Sequence, residues 1–232
     1  MAIAFVQSAG SSSLKTIAFA GNNTAGNLLV AMIGSSGQVD GVSDSRNTYA
    51  KAVDRDDAAT IFVDIWYSAN CGAGANTVTF TGGFGGGFDS IAVAEFSGVA
   101  TTSPLDQTNN KRAFGNSTEF TNAITTTEDD ELIIVNSASD ASSGLAWNGV
   151  YTDIYGTHTA LRTLKCAYRI VSSTGSYDGA GTAGGNPGHT IAGVIASFKA
   201  AAAPPETDPP QLSRIISGGN MGFAHIFVGG RL

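Results

Sequence analysis

Three features of this sequence predict an all-β fold: little charge, much glycine in short turn clusters, and apolar residues that return at every second position. Charged residues are 13% of the 232, against 42% hydrophobic, where a globular chain usually carries about 25% charged. The surface must therefore be built mainly from Ser, Thr, Asn and Gly. Thirty glycines supply turns, and no window sustains a capped helical pattern. The expected fold is a single large antiparallel β-sandwich, jelly-roll-like, built from two pseudo-repeats and followed by a C-terminal extended arm.

The strands follow in order. NLLVAMI, SIAVAEF, ELIIV and TIAGVIASF are almost wholly apolar, which suits central strands covered on both faces. TIFVDIWYSA places Ile61, Val63, Ile65 and Tyr67 on one side, LKCAYRIVS does the same with Leu164, Cys166, Tyr168 and Ile170, and TVTFTG alternates Thr with Val78 and Phe80. That period of two marks half-buried strands. GNNTAGN, SDSRN, GAGAN, GGFGGGF, TEDDE and GTAGGNPG separate the runs as turns.

The series recurs. GNLLVAMIGSS lies on DELIIVNSASD, Tyr67 falls on Tyr168 and Phe96 on Phe198, at offsets of roughly 101 to 104 residues. Half-repeats of about 1–100 and 115–199 are expected to close face to face into one sandwich over 1–199, because an open four-stranded sheet would leave an apolar face bare. The intervening SGVATTSPLDQTNNKRAFGNSTEF reads as a polar surface connector.

After Lys199 the chain changes character. Residues 200–211 are an Ala/Pro-rich linker with Pro204-Pro205 and Pro209-Pro210, expected to be extended and stiff. Residues 212–232 read as an apolar β-arm in which Leu212, Ile215, Ile216, Met221, Phe223, Ile226, Phe227 and Val228 would be partner-docking residues. An isolated hairpin is marginal in water, so the arm needs another surface.

The formal charge of −7 comes with no basic run, which speaks against nucleic-acid binding. No apolar stretch reaches the roughly 18 residues of a membrane span, and MAIAFVQSAG lacks the basic start and long apolar core of a signal peptide. Cys71 and Cys166 fit neither a disulfide framework nor a metal site, and read as partly buried free thiols. His158, His189 and His225 are scattered without a catalytic motif. No cofactor and no catalytic residue are expected. Asp40, Asp44, Asp54, Asp56 and Asp57 gather around one hairpin. Calcium could take such carboxylates, but turn hydrogen bonds and solvation account for them.

The blocks GNLLVA, GVSDSRNTY, IWYSANCGAGANTVTFT and SIAVAEFSGVATTSPLDQT together resemble a β-sandwich module that recurs in phage virion proteins and bacterial cell-surface proteins. The resemblance covers residues 20–110 well and 115–199 weakly; Arg46 stands where the module commonly has Gly. It implies a fold and a setting rather than a reaction.

The resulting expectation is a non-enzymatic virion structural protein, a capsid decoration or fibre/spike component. It would assemble in the host cytoplasm with other virion proteins, capsid or tail, or with sister subunits. The alternative is a carbohydrate-binding or adhesive module, with Phe84, Phe88 and Trp147 as loop aromatics against a host-surface glycan. A jelly-roll hydrolase is a third reading, for which only dispersed Ser, His and Asp speak.

Overall fold

A computed structural model describes residues 2–12, 14–57, 61–83, 88–140, 144–158, 162–184 and 188–203, without the side chains of Asp57, Thr157 and His158. Antiparallel strands build all of the regular structure among them. The first half contributes β1 (Ala4–Ser11), β2 (Thr16–Ala18), β3 (Leu28–Ser35), β4 (Val39–Ser43), β5 (Ala50–Asp57), β6 (Ile61–Ser68), β7 (Thr77–Gly82) and β8 (Asp89–Ser97). The second contributes β9 (Leu105–Phe114), β10 (Ile124–Thr125), β11 (Asp130–Ser139), β12 (Leu145–Trp147), β13 (Thr152–His158), β14 (Thr163–Ser172), β15 (Ser176–Tyr177), β16 (Gly181–Ala183) and β17 (Thr190–Lys199).

The duplication is exact in topology. One sheet runs β1-β8-β3-β6-β5, the other β9-β17-β11-β14-β13. The register preserves it: Leu28 pairs with Phe96 as Leu132 pairs with Phe198, and Val30 pairs with Tyr67 as Ile134 pairs with Tyr168. A small sheet, β2-β7-β4, covers the first half, and β10-β15 with β12-β16 cover the second. The sandwich expected of the body is the face-to-face pair of five-stranded sheets, and each carries an outer layer besides.

Four layers explain the apolar runs. Along β3, Leu28, Val30 and Met32 enter the core between the large sheets, while Leu29, Ala31 and Ile33 enter the core under β2-β7-β4. Leu132 and Ile134 of β11 face the central core, and Ile133 and Val135 the outer one. Alternation is lost because both faces are dry.

The large sheets meet reciprocally. Tyr67 of the first half packs edge-on against Phe198 of the second at 5.3 Å, and Tyr168 of the second against Phe96 of the first at 5.2 Å. Asn136 crosses the central core. Asn136 Nδ2 donates to the Ile33 carbonyl at 2.9 Å and the Asp64 carbonyl at 3.0 Å, and its Oδ1 accepts from the Cys166 thiol at 3.3 Å.

The connector expectation needs correction. Residues 105–114 form β9, a ten-residue edge strand, not a loop over the surface. Its polar side chains hid it: Leu105 and Ala113 supply its apolar contact with the cores, and the Asp106 side chain is buried as well. Each half accordingly has five long strands where four were expected.

Asn136→Ala strands two buried carbonyls and opens a cavity. It should cost about 2–4 kcal/mol and lower the melting temperature by roughly 5–15 °C, measurable by calorimetry.

Candidate functional site

The richest polar cluster forms where the turns before β3, after β4 and after β6 converge. Asp44, in the SDSRNTY block, accepts from the backbone N–H groups of Arg46 and Asn47 at 2.7 and 2.6 Å, from Asn47 Nδ2 at 2.7 Å, Asn76 Nδ2 at 2.8 Å and the Tyr49 hydroxyl at 3.0 Å. Burial raises the Asp44 pKa, but the hydrogen bonds from Asn47, Arg46 and Asn76 outweigh it and hold the carboxyl below its ordinary range. Asn47 Oδ1 accepts from Gly72 N, and the Arg46 guanidinium reaches the carbonyls of Ala73 and Ala75. Gly74, at φ +117°, lies under that guanidinium, where a side chain would be strained and crowded. SDSRNTY is thus a clamp joining two turns.

Glu95 of β8 is a second anchor. It is fully buried and accepts from Gln7 Nε2 and Asn27 Nδ2 at 2.7 Å, and from Asn23 Nδ2 and Thr24 N at 2.8 Å. Burial pushes its pKa up; the four donors more than reverse that and keep it below the usual value. Both carboxylates spend their lone pairs on backbone order, the turn-bonding role expected for Asp44.

The third cluster is a cleft of about 90 Å³ lined by Gln38, Val39, Lys51, Asp54, Arg55, Asp56, Phe62 and Asp64. Lys51 Nζ bridges Asp54 Oδ2 at 2.8 Å and Asp64 Oδ1 at 3.1 Å, and stands 5.2 Å over the Trp66 ring. Burial lifts Asp64 to about 6, with Lys51 opposing. Sites for organic ligands run to roughly 300–1,000 Å³, so this cleft admits an ion or a few waters, not a sugar ring. Among the described residues no group of three or more His, Cys, Asp or Glu is placed to hold a metal ion.

The aromatic expectations are corrected by burial. Phe88 is 1% exposed: its ring fills the gap left by Gly34, where an added Cβ would stand 3.1 Å away, and Arg162 caps it at 5.6 Å. Trp147 is 9% exposed, on β12 rather than in a loop, packed on Phe120 at 5.3 Å and Tyr151 at 5.8 Å. Both serve cores, not contacts. Phe84 lies outside the described residues, as do Leu212, Ile215, Ile216, Met221, Phe223, Ile226, Phe227 and Val228. Cys71 and Cys166 are free and buried. His189 pairs with Asp140 at 3.4 Å, away from the acidic cleft's lining residues.

Asp64 and Glu95 were not among the candidates drawn from the sequence. Their signal was present: each is a lone acid inside an apolar strand, IFVDIWY and IAVAEF, and a buried charge needs partners.

Glu95→Gln sets an NH2 donor against two of the four N–H donors and should cost about 2–4 kcal/mol in urea unfolding. Asp64 behaves in the opposite sense to Asp44 and Glu95. Its native pKa is raised, so it favours the native state increasingly as pH falls from about 7 to about 4, and that gain is lost as pH rises through 6. Asp64→Asn should flatten the stability change over this window by roughly 1–3 kcal/mol, read by urea melts at pH 7 and 4.5. Losses carried by Asp44 and Glu95 should appear only below their ordinary range.

No protein-family model, no curated protein and no solved structure matches the chain; the description that stands is an all-β, antiparallel protein whose internal duplication builds a layered sandwich.

Proposed function

We propose that this chain is a non-enzymatic structural protein of a bacteriophage virion, a decoration or fibre component, whose body carries the apolar segment 212–232 to a docking partner. One observation carries the reading: the way the body hands off its C-terminus. After β17, Ala200 N donates to the Asp130 carbonyl and Ala201 N to the Gly98 carbonyl. The proline-rich linker starts three residues later at Pro204. These backbone bonds tie residues 200 and 201 to the body just before the spacer, and the large apolar residues of the tail come after it in sequence.

The chemistry of the body supports the same reading. Its half-buried Asp44 and buried Glu95 carboxylates are engaged in holding turns, and polar networks of this kind favour a rigid scaffold. The adhesive alternative is weakened, because Phe88 and Trp147 are core residues and only Phe84 is left to meet a glycan.

Truncation after Ala203 tests the proposal. The cut must spare Ala200 and Ala201, whose backbone bonds belong to the body. The expected product is folded, with an unchanged melting temperature, but no longer associates with particles or sister chains. Unchanged association, or an unfolded product, overturns the reading. Trp147→Ala should reduce stability by about 3–5 kcal/mol, with no selective effect on glycan binding measured on an array.

A further inference from the structure

Four strands end the two large sheets: β1 and β5 in one, β9 and β13 in the other. Open edges invite added strands, and charged side chains are a common defence. β5 carries Lys51, Asp54, Arg55, Asp56 and Asp57; β9 carries Asp106, Lys111 and Arg112; β13 carries Asp153. β1, AFVQSAGS, carries no charge over eight residues. It also exposes apolar surface: Phe5 is 39% and Val6 42% exposed, and Ile170, two residues beyond the Tyr168 on which Phe5 stacks at 5.4 Å, is 42% exposed.

The chain's departure point lies beside this edge. Ala201 is bonded to Gly98, and Gly98, at φ +74°, leaves no room for a Cβ against the Ala2 carbonyl and Ile3, just before β1 begins. The spacer 204–211 holds four prolines in eight residues and can span about 25 Å as polyproline II, about the length of β1 itself. The six residues of FAHIFV, 223–228, fit within the eight of β1, of which Gln7 to Ser11 pair in unbroken register with β8.

We propose that segment 223–228 of one copy adds as a sixth strand to the β1 edge of a second copy. This rests on the preceding reading that the tail docks outside its own body, and it names the acceptor. Main-chain hydrogen bonds would supply affinity, and Phe5, Val6 and Ile170 the apolar footing for Phe223, Ile226 and Phe227. Each copy offers one donor segment and one acceptor edge, so the contact is heterologous and propagates into rings or filaments.

The test uses full-length chains in sedimentation velocity. Ala4→Lys/Val6→Lys blocks the edge at two exposed positions, and Phe223→Glu/Phe227→Glu blocks the donor. Wild type should self-associate. Each variant alone should stay near the 23.5 kDa monomer mass with at least tenfold weaker association. An equimolar mixture should form a 1:1 heterodimer and stop there. If the edge-blocked chain still assembles while the donor-blocked one does not, or if wild type is monomeric yet binds particles, the acceptor is elsewhere and only this inference falls. If neither variant alters assembly, the tail-docking reading falls with it. If both variants are folded and their mixture stays monomeric, exchange between copies is overturned. Val6→Lys alone replaces the double variant should the latter melt more than a few degrees below wild type.

Discussion

The packing of one five-stranded sheet on the other is the constraint from which the body follows. Tyr67 reaches across to Phe198, and Tyr168 reaches back to Phe96, at nearly the same distance and tilt. This is the reciprocity of a twofold interface, achieved within one chain by duplicated halves. It puts Leu28, Val30 and Met32 opposite Leu132 and Ile134 in a common core. It also fixes which faces remain to be covered, and the outer small sheets cover them. The central strands β3, β8, β11 and β17 are thereby dry on both sides.

Much of this was legible in the residues. The runs NLLVAMI, SIAVAEF, ELIIV and TIAGVIASF proclaimed double coverage, and β3, β8, β11 and β17 are indeed buried on both faces. The spacing of Tyr67 to Tyr168 and Phe96 to Phe198 survives in the strand register. What escaped is polar or short. β9 reads LDQTNNKRAF because a half-buried edge strand needs few apolar residues. β10, β12, β15 and β16 are two or three residues long, too brief for any periodicity. Phe88 and Trp147 looked exposed because Gly and Ser surround them. The missing Gly34 side chain makes the hole that Phe88 fills, a fact of tertiary packing that no local pattern holds.

The candidate sites were less legible than the fold. Asp44 could be assigned to its turn from the SDSRNTY block alone, since Asp and Asn cap turns through their own side chains. Glu95 and Asp64 needed the structure, which separates two outcomes for a buried acid. Glu95 sits among four donors and stays ionised; Asp64 has mainly Lys51 and is drawn toward its protonated form. Burial raises both; four N–H donors outweigh it at Glu95, and Lys51 does not outweigh it at Asp64.

The duplicated halves are not interchangeable, and Asn136 shows why. Its counterpart by register is Met32: Met32 lies between Ile65 and Ala92, Asn136 between Cys166 and Val194. The amide of Asn136 finds its acceptors only on the opposite sheet, at Ile33 and Asp64. Neither half can therefore mature by itself. Until the sheets close, one bears a bare greasy wall and the other an unquenched amide, so the body should gain its order in a single cooperative step, with the central amide acting as the key that admits one alignment of the two walls and refuses its neighbours.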